Sequence, residues 1–196
     1  MKRGLLLALI LVLSAVALAA PTNLALNKEY VFNIGAHANY PDSGNELTDG
    51  KYARAVGYGD PDFFAVLRED YRIVVIDLEA VYKIDKVLCN FLNQYDVGCY
   101  RPSQIALSLS EDGRRWRSAD YQEVYEDELP KTGTYLHRYE LDGGGMKARY
   151  VAVKFNCEIW VFIDEFEVIG DPDTKQESTA KISIYDIDFE DIDFEF

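Results

Sequence analysis

Carboxylates are the commonest chemistry-bearing side chains in this chain, and two stand together in residues 45–54, NELTDGKYAR, where Glu46 is followed by Asp49 directly before Gly50. An Asp-Gly step forms a turn unaided, because glycine tolerates positive φ and the Asp side chain bonds the backbone two residues on. A carboxylate on such a loop can equally ligate a hard cation, which takes roughly six to eight oxygens and draws on carbonyls that no sheet ladder has claimed. Other reactive groups are scarce. The two histidines, His37 and His137, lie in no metalloprotease helix motif, and there is no Gly-x-Ser-x-Gly elbow, phosphate loop or dinucleotide fingerprint. With 34 acids in the chain, a carboxylate pair suited to glycoside hydrolysis would carry almost no information. A non-catalytic protein is therefore expected.

Residues 1–19 place Lys2 and Arg3 before the apolar run 5–13 and the small-residue pattern Ala17-Leu18-Ala19. This is the pattern of a cleaved signal peptide, and Pro21 disfavours continuing it as a membrane anchor. A secreted or periplasmic protein without membrane insertion follows. The formal charge of −14, deepened by two once Lys2 and Arg3 leave, argues against nucleic acid and anionic surfaces as partners. Neutral glycans and cations remain open. Three cysteines enter an oxidising compartment with no zinc spacing. Cys89, inside an alternating run, is expected to be a buried hydrophobe, and Cys99 and Cys157, at or just past strand ends, are expected to form a disulfide.

Period-two hydrophobicity dominates the rest. Val74-Ile76-Leu78, Val87-Cys89-Phe91, Ile105-Leu107-Leu109, Val151-Val153-Phe155 and residues 162–168 alternate between clusters of Gly, Pro, Asn and Asp. Such runs are half-buried antiparallel strands, and their number predicts an all-β, two-sheet jelly-roll sandwich over residues 21–170. From Asp77 to Asp85 a short polar link should join two strands. Asp112-Gly113 should close a turn after which Trp116 returns to the core. Residues 171–196 carry nine acids and two lysines and end in a tandem DIDFE repeat. A solvated acidic tail is the favoured expectation, and a docking segment that adds a strand to a partner's sheet edge is the alternative.

The motifs NLALNKEY, NELTDGKYA, VVIDLEAVYKIDKVLCNFL, PSQIALSLSEDGRRW, RYVAVKF and WVFIDEFEVIG, in that order and spacing, resemble coagulation factor 5/8 type C (discoidin) domains. These are related to family 32 carbohydrate-binding modules in the galactose-binding-domain-like superfamily. The resemblance spans residues 23–170. It implies a structural calcium ion held by Asp49 and Glu165, with the carbonyls of Glu46, Lys51, Arg54 and Asp164 completing the shell. Arg54 departs from the relatives, many of which place a hydroxyl residue late in this loop.

The resemblance further implies ligand recognition by loops at one end of the sandwich, here GAHANYPD, NQYDVGCYRP and NCEIW. From these, His37, Tyr40, Tyr95, Arg101, Asn156 and Trp160 are the candidate contacts. Tyr and Trp suit sugar rings because each presents a broad apolar face with a polar handle. Trp160 leads, its structural alternative being a wedge between the sheets. The expected function is a calcium-stabilised, carbohydrate-binding module for a cell-surface or extracellular polymer. A protein-interaction or adhesion domain using the same loops or the acidic tail is the alternative.

Overall fold

A computed structural model describes residues 20–54, 57–124, 132–179 and 182–194; the signal-peptide reading of residues 1–19 lies outside them. Six strands, β1 (Thr22–Asn23), β2 (Tyr30–Phe32), β3 (Phe64–Gln94), β4 (Gln104–Ser110), β5 (Arg117–Glu123) and β6 (Thr134–Gln176), pair antiparallel in the order β2-β3-β6-β4-β5, with β1 on β6. Strands of 31 and 43 residues are too long for one straight layer, and their registers show where they fold over. Residues 64–77 of β3 pair with 150–163 of β6, whereas residues 81–94 lie between 134–148 and 162–176 of the same strand. The first layer is thus β2, the first arm of β3, the middle of β6, β4 and β5. The second is β1, the other arms of β6 and the second arm of β3. Phe91 in the second layer meets Phe155 of the first at 5.3 Å and Phe166 of its own at 5.6 Å, all edge-on, so the two inner faces enclose one core. The expected two-layer antiparallel sandwich is what forms.

The alternating runs supply that core. Val74, Ile76, Leu78, Val87, Cys89, Phe91, Ile105, Leu107, Leu109, Val151, Val153 and Phe155 all belong to one buried cluster. Each fully buried side chain of this size contributes about 1.5–3 kcal/mol.

The polar link of residues 77–85 is a corner within one strand. Glu79 adopts φ 67, a conformation uncommon outside glycine, and its N–H bonds Asp77 Oδ1 at 2.7 Å. Asp77 is buried and held by Arg149, Nε to Oδ1 and Nη2 to Oδ2, both at 2.7 Å. This bidentate pair fixes the point at which β3 leaves one layer for the other.

Beyond Gly170 the chain continues in β6 to Gln176, and the acidic tail is not solvated along its length, contrary to the favoured expectation. Ile184, Ile187 and Ile192 are buried with Val75, Trp116, Tyr150 and Ala152, and Phe189 and Phe194 pack beside them. These sheet residues alternate with the core residues, so they form the outer face of the first layer, and residues 182–194 cover it. Within residues 182–194, Asp186, Asp188, Glu190, Asp191 and Asp193 stay exposed while the Ile and Phe side chains set between them turn inward. Trp116 therefore closes the outer cluster under the tail instead of the central core. The Asp112-Gly113 turn forms as expected: Gly113 has φ +72, and a Cβ there would meet Ile182 at 2.8 Å.

Candidate functional site: an acidic clip and an aromatic pocket

Residues 46–48 form a 3-10 turn that Asp49 terminates, and Gly50 follows with φ 77. This conformation turns the Gly50 N–H onto Glu165 Oε2 at 3.1 Å, so the loop is fastened to the last arm of β6 some 115 residues later. Glu165 is 1% exposed, and its Oε1 has no partner among the described residues. Burial, with the charge of Asp49 adding to it, pushes the Glu165 carboxyl up to about 8 against the opposing pull of the Gly50 N–H. Asp49 meanwhile accepts from the Lys51 backbone at 2.9 Å and from Lys51 Nζ at 2.6 Å.

Asp164 is buried and brackets the loop from beneath, accepting Ala53 N–H at 3.0 Å and Glu165 N–H at 2.7 Å. Glu46 faces the loop before it, accepting from Ser43 N–H at 2.7 Å. Some burial raises its carboxyl, but bonds from Asp42 and Ser43 outweigh this and bring it to about 2. The Arg54 guanidinium is exposed and reaches toward Asp62, 3.9 Å away. Among the described residues no three His, Cys, Asp or Glu side chains group as metal ligands.

The second site stands on three loops stapled together by backbone bonds. His37 N–H bonds Ala65 O at 2.8 Å and Ala65 N–H returns to Tyr40 O at 3.1 Å; Trp160 N–H bonds Gly98 O at 3.2 Å and Tyr100 N–H bonds Trp160 O at 2.9 Å. A fourth segment is tied in by Tyr58 N–H to Gln94 Oε1 at 3.2 Å. These fastenings close an open pocket of about 220 Å3 lined by Tyr40, Tyr58, Val97, Cys99, Trp160 and Phe162. Its rings lock edge to face: Tyr40 to Trp160 at 5.5 Å, Tyr40 to Phe162 at 4.7 Å, and His37 to Trp160 at 4.9 Å. Edge-on packing of this kind holds the aromatic walls in place before any ligand arrives. Burial pushes the Cys99 thiol up to about 11, so the pocket floor is neutral.

Of the expected contacts, His37, Tyr40 and Trp160 come together here, and Trp160 is half-buried against the outer cluster of Phe63, Leu92 and Phe162, outside the core between the sheets. Tyr95 lies on the adjoining turn, 43% exposed and 5.0 Å from Tyr100. Arg101 stands outside the pocket lining. Its Nη1 donates to Pro102 O at 3.0 Å and to Tyr139 Oη at 3.2 Å, which turns it onto the second layer. Asn156 is likewise engaged in structure, accepting from Gln104 N–H and donating to Ser103 Oγ. Tyr58, Val97 and Phe162 escaped the sequence reading. Tyr58 sits among Gly57, Gly59, Asp60 and Pro61, a loop composition that could have flagged it, but Phe162 reads as one more core residue of an alternating run.

The expected Cys99–Cys157 disulfide does not form: Cys89, Cys99 and Cys157 are buried thiols outside any bridge. Cys157 points into the central core, with Sγ toward Val66 O at 3.7 Å, while Cys99 packs in the outer cluster with Phe162. The two thiols serve different packing clusters, so no bridge joins them.

No family model matches the sequence, and no curated protein does. Solved structures do resemble it. A Streptococcus pneumoniae fucose binding module has a TM-score of 0.56 and 19% identity over 77% of this chain and 96% of its own. Chitosan-binding module 1 from a Paenibacillus sp. IK-5 chitosanase/glucanase scores 0.52 at 19% identity over 76% and 99%. A mutant of the lectin binding domain of Lectinolysin, complexed with Lewis b, scores 0.53 at 17% over 76% and 96%. The chain shares the β-sandwich fold of these structures.

Proposed function

We propose that the chain is an exported, non-catalytic module that binds carbohydrate in the pocket of Tyr40, Tyr58, Trp160 and Phe162. The observation that carries this reading is the pocket itself: aromatic walls pre-set by edge-to-face contacts, open to solvent, on loops at one edge of a rigid sandwich. A volume of about 220 Å3 suits a single sugar ring, whose apolar face would lie on Trp160 or Tyr58. His37 accepts the Asn39 N–H at Nδ1, which leaves its proton at Nε2 as a donor for a sugar hydroxyl. Fold neighbours named for fucose, chitosan and Lewis b support a glycan as the ligand class. Export is supported by the signal-like residues 1–19, and among the described residues no helix is long and apolar enough to cross a membrane.

A glycan array, followed by calorimetry on the best hit, tests the function. Binding that falls about tenfold or more in Trp160→Ala, as expected for an aromatic anchor at the centre of a site, supports it. Absence of glycan binding by the wild-type chain overturns it.

A calcium ion at the acidic clip is part of the same proposal. Two observations favour it: the Asp49 charge acts on Glu165, and Glu165 Oε1 is buried without a partner among the described residues; carbonyls of Glu46, Lys51 and Arg54 in the loop and of Asp164 on β6 would complete the shell. When bound, the cation would supply the positive charge that this buried carboxylate lacks, tying the loop to β6. Its role is structural. Melting in millimolar calcium should lie well above melting in chelator, by several degrees at saturating ion. An unchanged midpoint would remove the ion from the account and leave the pocket untouched.

A further inference from the structure

The tandem DIDFE repeat has a physical consequence on the outer face of the first layer, one independent of the sugar pocket. Both copies present the same pattern there. Ile187 and Ile192 are 6% and 7% exposed, and Phe189 and Phe194 are half-buried two residues further on. The two units rest with like burial on one outer cluster. Side chains do the anchoring: Ile187 and Ile192 against Val75, Tyr150 and Ala152, and Phe194 under Lys154 Nζ at 5.4 Å. The tail's backbone bonds are local, Asp186 N–H to Ser183 O and Asp191 N–H to Asp188 O, and Tyr150 Oη reaches Ile182 O at 2.9 Å. The connector leading to it, residues 177–179, lines a polar cleft of about 530 Å3 together with Asp112, Arg115 and Arg117.

We propose that this face is a docking groove for the Ile-x-Phe unit, and that the tail of a second copy of the chain is its exchange occupant. The groove accepts this peptide, since it already holds it. Loss of one of the chain's own units vacates a seat that the identical unit of another copy fills, so exchange needs only a partial release. Swapping an identical segment between copies replaces each contact with its like, which is why it is a low-cost route to dimers. The tether opposes it, because a short connector keeps the chain's own tail at an effective concentration of ~mM. Mutual repulsion between two such acidic copies opposes it further, and salt relieves that repulsion.

The test mixes the full chain with its 15N-labelled counterpart and counts mixed-mass dimers by native mass spectrometry. Dimers should increase with concentration and rise at least about threefold from low to ~1 M salt, where the screening length shrinks to about 3 Å. The chain with Ile187→Asp and Ile192→Asp should lose them, while Ile187→Leu with Ile192→Leu retains them. Should the Asp variant fail to fold, Phe189→Ala with Phe194→Ala removes the half-buried rings and should lower the dimer fraction. Monomer at every concentration and salt overturns the proposal and leaves the tail a strictly internal cap. Dimers indifferent to all these substitutions overturn it equally.

Discussion

His137 meets Tyr139 edge-on at 4.4 Å and is half-buried. Burial first, and then the nearby Arg101 charge, lowers its pKa from 6.5 to about 4. The unfolded chain therefore binds the proton between these values when the folded chain does not. Stability from this residue is fully present above pH 6.5 and is lost as pH falls toward 4. A shift of this size is worth up to about 3 kcal/mol. Denaturant titrations at several pH values should show wild type losing stability across that window more steeply than His137→Gln. Parallel curves for the two proteins would count against the buried neutral imidazole. At the same scale, residue type alone decided little about the pocket. Aromatics in loops, such as Tyr40 and Trp160, could be picked out because an apolar ring in a polar segment needs a reason. Arg101 and Asn156 looked equally suited to a ligand, yet neighbouring backbone groups engaged them first, as happens to most polar loop side chains. Nothing local in the sequence distinguishes a polar group that serves the chain from one that serves a ligand.

Among the elements, the inward faces of the strands were legible because side chains alternate at a period of two, so one buried face marks the whole run. The same periodicity hid the second use of β3 and β6. Val75, Ala152 and Phe162 read as the solvent side of strands or as extra core, when they are the floors of two further clusters. What covers an outer face depends on segments distant in sequence, and no local pattern reports that. The corner of β3 belongs to the same class of feature: residues 77–85 read as a polar link, whereas Asp77 and Arg149 form a nearly buried bidentate pair across 72 positions. Removing one partner leaves the other charge buried alone, at a cost of about 3 kcal/mol. Asp77→Ala should therefore melt well below wild type. The double change Asp77→Ala with Arg149→Met should recover part of the loss, since it removes the stranded charge and leaves apolar volume. A double variant no better than the single one would mean that Asp77 acts through its bond to the Glu79 N–H and the φ 67 turn.

At the scale of the whole molecule, the sandwich is completed by a segment that its composition marks as unstructured. Nine acids in 26 residues suggest disorder, because charge is expensive to bury and the segment looks too poor in apolar residues to repay ordering. The structure escapes this conflict by geometry. In an Ile-Asp-Phe step the acid points to solvent and both apolar side chains point to the sheet, so charge and burial do not compete. The tail then supplies the cover that the first layer otherwise lacks, for without it Val75, Ala152, Tyr150 and Trp116 would face water. This predicts a stabilising role that a solvated tail cannot have. Ile187→Ala and Ile192→Ala should each cost about 2 kcal/mol, the low end for a buried isoleucine because the site lies at the surface and can partly close. Removing one exposed acid between them, by Asp188→Ser, should change stability by less than about 0.5 kcal/mol. Thermal melts of the three variants distinguish the cases: equal, near-zero effects for isoleucine and aspartate would return the tail to solvent, whereas a loss confined to the isoleucines makes it an integral part of the folded domain.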